Sequence, residues 1–104
     1  MKVRWNKQSK EQLRQTARYI LQVFGQKVKD EFMQAVRHTN TLLVENPHLG
    51  PAEEFLADLP VLYRSIVVRR LNKIAYRIVD DHIEVVAFWD CRREPKSQAR
   101  QVKQ

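Results

Sequence analysis

The sequence holds a single cysteine, Cys91, among 104 residues. One thiol builds no intramolecular disulfide framework, and no Cys/His spacing matches a zinc site. A chain so poor in cysteine suits a reducing compartment, and a cytoplasmic location is expected. Long apolar runs are also missing. Met1 to Asn6 contains no hydrophobic segment of signal-peptide length, and the longest apolar run, Val85 to Trp89, is far too short to cross a bilayer. No membrane partner, metal or cofactor is therefore expected. Neither an internal repeat nor a low-complexity segment appears.

What is present is enough for one core. Hydrophobic residues make up 43%, with two Trp, three Tyr and four Phe, which excludes a wholly disordered chain. The length fits one domain, residues 1–104, and not two. The formal charge of +7 is unevenly spread. Residues 1–62 carry nine Lys/Arg against seven Asp/Glu, and residues 63–104 carry ten against five. A positive field concentrated in the C-terminal part attracts polyanions, either nucleic acid or an acidic protein.

The periodicity changes once along the chain. Lys2 to Trp5 alternates polar and apolar as a short strand does. Ser9 with Gln12 has the spacing of a capping box, and Leu13, Ala17, Ile20, Leu21 and Phe24 form a helical stripe that Gly25 ends. A second helix from about Gln26 places Val28, Phe32, Ala35, Val36, Thr39 and Leu43 on one face, and Asn46-Pro47 closes it. Residues 46–60, with three prolines and a glycine, read as a loop with one short helical turn. Period 2 then takes over: Tyr63 to Arg69, Asn72 to Val79, and His82 to Trp89, with a tight turn at Asp80-Asp81. Ile74, Tyr76 and Ile78 share one face, opposite Lys73, Ala75 and Arg77. Ile83, Val85, Ala87 and Trp89 are expected on a common face. Arg92 to Gln104 reads as a polar, loosely ordered tail.

The expected fold is α+β: an N-terminal strand, a helical hairpin, then a three-stranded antiparallel meander. The first strand pairs with the edge of the meander, and the hairpin covers one face of the sheet. The opposite face, with Lys73 and Arg77, is the expected binding surface.

This layout resembles the RelE/ParE superfamily of toxins from type II toxin–antitoxin systems. The resemblance rests on MKVRW, the hairpin, ENPHLGP, YRSIVV, KIAYRIVDDHIEVVAFW and DCRREP in that order. The uninterrupted hairpin and the NPHLGP loop are closer to ParE-like members. The resemblance implies a growth inhibitor of the plasmid-stabilisation kind, neutralised by a cognate antitoxin. ParE-like members act on DNA gyrase and are not nucleases, whereas RelE-like members cleave mRNA on the ribosome. A non-toxic relative serving as an interaction module is the third reading.

The resemblance also implies site residues. If the chain is RelE-like, Lys73 on the middle strand and Arg93 after the last strand are the catalytic cations. Arg64, Lys73, Arg77, Arg92 and Arg93 form the binding set. Metal-free RNA cleavage further needs groups that take and give protons. The segment after Arg93 has no Tyr or His, and Ala99 stands near the position where such members carry a tyrosine. His82, Asp90 and Glu94 are the nearby substitutes.

Overall fold

The computed structural model describes residues 1–104. It contains β1 (Lys2–Trp5), α1 (Lys7–Phe24), α2 (Gln26–Glu45), a 3-10 turn (Glu54–Leu56), β2 (Arg64–Val68), β3 (Asn72–Val79), β4 (His82–Asp90) and α3 (Pro95–Lys103). The four strands form one sheet in the order β1-β4-β3-β2. β2, β3 and β4 make the antiparallel meander, and β1 joins the edge of β4 in parallel. The parallel pairing follows from the connection: an αα-hairpin returns the chain across the sheet before the meander begins.

Helix α1 starts two residues before Ser9. Asn6 is its N-cap, and its side chain accepts from the Ser9 N–H at 2.8 Å. The two expected capping residues are used elsewhere. The buried Ser9 hydroxyl donates to Val85 O at 3.1 Å, and Gln12 Oε1 accepts from the Phe88 N–H at 2.7 Å. The Gln12 contact satisfies the Phe88 N–H beyond the end of β1, where an open edge would otherwise leave it unpaired, and Ser9 adds a second donor to the Val85 carbonyl, which also accepts from the Asn6 N–H at 3.0 Å. Gly25 separates the two helices with φ 93°, a conformation that favours glycine.

The hairpin packs Ala17, Phe32, Val36 and Leu43 onto Val68, Ile74, Tyr76, Ile83, Val85 and Phe88. Each large apolar side chain buried there contributes about 1.5–3 kcal/mol. The apolar stripe of α1 outruns the sheet. Phe24, at its end, is 59% exposed and meets Tyr19 edge-on.

The opposite face of the sheet is not open. Leu56, Ala75, Val86, Ala87, Trp89 and Ala99 form a second buried cluster, covered by the 3-10 turn and α3. Ala87 and Trp89 therefore lie on the other side from Ile83 and Val85, contrary to the expected common face. The cause is a bulge: Tyr76 pairs with Val85 and Ala75 with Ala87, leaving Val86 as the extra residue. One inserted residue shifts a period-2 pattern onto the other face.

The C-terminal segment also departs from the expected loose tail. Glu94 caps α3 by accepting from the Lys96 and Ser97 N–H groups at 2.9 and 2.8 Å, and Pro95 occupies the first turn. Pro lacks an N–H that would go unpaired there, so it favours the start. The Gln98 side chain bonds both the N–H and the carbonyl of Asp90 at 3.0 Å, fastening α3 to β4 as a strand would be fastened.

Candidate functional site

The structure disperses the five expected cations. Lys73, on β3, is 22% exposed and pairs with Glu53, whose side chain is 2% exposed. Its Nζ also lies 5.2 Å from the Trp89 ring centroid and 5.9 Å from that of Phe55. Glu53 accepts as well from the Ser65 hydroxyl at 2.9 Å and the Phe55 N–H at 2.8 Å. Burial by itself would raise this carboxyl. The hydrogen bonds from Lys73, Phe55 and Ser65 outweigh it and hold the group below the usual carboxylate range.

Arg77 opposes Glu84 across the β3–β4 pair, with Nε 2.7 Å from Oε1. Arg64 lies on the helix side of the sheet, opposite Tyr76, and donates to Gly50 O at 2.9 Å. Tyr76 Oη accepts from the Gly50 N–H at 2.9 Å and donates to Pro47 O at 2.8 Å, so the loop after α2 is pinned from both residues. Burial raises the Tyr76 hydroxyl above its ordinary value, which keeps it a neutral donor. Arg92 grips Asp90 through two nitrogens at 3.1 Å, and that contact lowers the Asp90 carboxyl. Arg93 is exposed and pairs with no acid.

The proton-transfer substitutes are spent or distant. Asp90 holds Arg92, and Glu94 caps α3. His82 opens β4 beside Asp81, at the far end of the strand from Arg93, roughly 25 Å away by strand rise. Ala99 is buried in the second cluster. The Cys91 thiol is raised above its ordinary value by burial, so it is not an activated nucleophile.

A different feature escaped the sequence reading. A groove of about 920 Å³ runs between β1, α1 and α2. Val3, Trp5, Leu13, Ala17, Leu21, Met33 and Val36 supply its apolar lining. Arg4, Lys10, Arg14, Arg18, Lys29 and Arg37 also line it, without one acid. Trp5 is oriented by its Nε1–H, which donates to Asn40 Oδ1 at 3.2 Å. Of the six cations only Arg14 is paired, with Glu11 on the surface of its own helix. The signal was in the sequence: Lys10, Arg14 and Arg18 recur every fourth residue beside Leu13, Ala17 and Leu21, which puts two parallel rows on one helix.

The family model described as "ParE toxin of type II toxin-antitoxin system, parDE" matches residues 3–95. The chain belongs to the ParE toxin family. A solved structure described as "Chromosomal ParDE TA system from P. aeruginosa" matches this ParE-family chain with a TM-score of 0.70 and 13% identity, covering 86% of this chain and 95% of that one. At that identity the likeness is one of fold. No curated protein matches the sequence. No helix is long and apolar enough to cross a membrane.

Proposed function

We propose that this ParE-family toxin arrests growth by binding DNA gyrase, without cleaving RNA, and that a cognate antitoxin silences it. The observation that carries the inhibitor reading is the engagement of Lys73 by the buried Glu53. A cation already neutralised inside the protein is poorly available for charge developing on a phosphate. The absent proton-transfer set compounds this, since losing a general acid or base costs about 10²–10⁴-fold in rate. Inhibition by binding needs a surface and no such set.

The groove supports the antitoxin half of the reading. An apolar floor flanked by unpaired cations complements an amphipathic helix with an apolar face and acidic edges. The fold neighbour's description as a ParDE TA system makes such a partner the expected class.

The test expresses the chain with and without a candidate acidic antitoxin from a neighbouring reading frame, reading plasmid supercoiling and mRNA integrity together. The expected result is growth arrest, relaxed plasmid and intact mRNA, all reversed by the partner. Purified protein that leaves gyrase supercoiling unaffected at saturation overturns the gyrase assignment. Cleaved mRNA that becomes intact in K73A/R93A would move the chain to the RelE-like reading. No growth defect at all would leave a non-toxic interaction module.

A further inference from the structure

The end of the sheet where β4 leaves for α3 carries cations used by neither the groove nor the internal pairs on the sheet. The β2–β3 turn places Arg69 and Arg70 there. The Cys91 N–H donates to Leu71 O at 2.8 Å and fastens that turn beside the segment bearing Arg92 and Arg93. All four arginines are exposed. The two local acids are already engaged, Asp90 by Arg92 and Glu94 by the first turn of α3. Arg69, Arg70 and Arg93 form no ion pair.

The backbone supplies an independent observation. Arg69 has φ 50° and Arg70 φ 72°, and the Leu71 N–H donates back to Arg69 O at 2.8 Å. That is a γ-turn of the rare, strained hand, centred on Arg70. Asn and Gly occupy such conformations at little cost, whereas arginine does not. Folding stability alone would favour the smaller residues, and strain tolerated at an exposed charged turn points to a use for the side chains.

We propose that this arginine pole binds the phosphodiester backbone of a nucleic acid. The planar guanidinium fork matches phosphate oxygens in a way that a lysine does not. Three unpaired forks, those of Arg69, Arg70 and Arg93, on two adjacent segments favour contact with successive phosphates over recognition of a base, while Arg92 stays held by Asp90. Leu71 is the exposed apolar side chain of the turn, too little for the apolar centre of a protein interface. The proposal goes beyond gyrase inhibition and does not depend on it, because it concerns binding by the purified chain alone.

The experiment titrates short fluorescent duplex DNA, duplex RNA and single strands with the full chain across a salt series. Three proteins are compared: wild type, R69N/R70G, and K2Q/K7Q, which loses the same charge at the β1 end of the fold, where Lys2 pairs with His82 and Lys7 opens α1. R69N/R70G is expected to bind roughly tenfold more weakly near physiological salt, with a log-log salt slope shallower by about two. Its thermal midpoint is expected to hold or rise, since the strained turn is relieved. K2Q/K7Q is expected to bind like wild type, and the tightest of the three nucleic acids identifies the backbone the pole takes. Equal losses in both double variants would overturn the proposal, because net charge would then explain the binding. Unchanged binding by R69N/R70G, or polyglutamate held as tightly as nucleic acid at the same salt, would overturn it too.

Discussion

The sheet and the groove of this toxin differ in what their cations already hold. On the sheet, Lys73 and Arg77 each face a carboxylate of the same chain. Along the groove between β1 and the hairpin, Arg4, Lys10, Arg18, Lys29 and Arg37 hold none. The lesson is that positive charge counted along a chain is not positive charge available to a partner. The cations on the sheet serve the fold, and those along the groove are free to serve a complex.

The sharpest way to break this contrast is at Lys73. K73M is expected to lose about 2–3 kcal/mol of stability in chemical denaturation, because it strands the buried Glu53 carboxylate. E53Q/K73M should recover most of that loss, and the double-mutant cycle measures the coupling. R18Q/K29Q, in the groove, should stay within about 0.5 kcal/mol of wild type. A K73M protein as stable as wild type would mean that Lys73 is not an internal cation.

The same pair sets an acid limb. Glu53 titrates below its ordinary 4.5 in the folded protein, so the unfolded chain binds the proton first as pH falls. Its contribution to stability is complete above about pH 4.5 and is lost as pH drops through the depressed folded value. Melting temperature followed downward from neutral pH should fall more steeply for wild type than for E53Q. Matching acid limbs in the two proteins would contradict the assignment.

Charge reversal along the groove comes next in size. R18E/K29E is expected to weaken antitoxin binding about tenfold, roughly 1.4 kcal/mol, mostly through a slower on-rate that salt abolishes. Surface plasmon resonance at two ionic strengths reads both quantities. Binding unaffected by the reversal would remove the groove from the complex. A smaller effect belongs to the half-exposed Arg77–Glu84 pair: R77Q should cost under about 1 kcal/mol. The smallest is at Trp89, whose buried Nε1–H has no hydrogen-bond partner. W89F removes that unpaired donor and is expected to offset most of the packing it loses, leaving the denaturation midpoint nearly unchanged.

The sequence allowed much of the hairpin and the meander to be read, for local reasons. Phe32, Val36, Thr39 and Leu43 repeat at helical spacing and are the buried residues of α2. Lys73, Ala75 and Arg77 alternate with Ile74, Tyr76 and Ile78, and β3 puts Ile74 and Tyr76 into the cluster under the hairpin and Ala75 into the second one. The reading failed where residues distant in sequence decide. A single extra residue at Val86 moved Ala87 and Trp89 across the sheet. Glu94 and Pro95 are helix-start residues, yet the helix they open is held by Gln98 reaching back to β4 and by Lys103 reaching Asp58. Glu53, in a stretch without basic residues, gave no local sign that it would meet Lys73 twenty positions later.

By itself the sequence determined the α+β class, the order of the elements, the excess of positive charge and the family resemblance. Those properties depend on periodicity, turn chemistry and composition, all of which act over a few residues. Only the tertiary structure decided which charges are spent and which are free. An ion pair depends on distance and burial, and those exist once the loop at Glu53 folds over β3 and the hairpin lies beside β1.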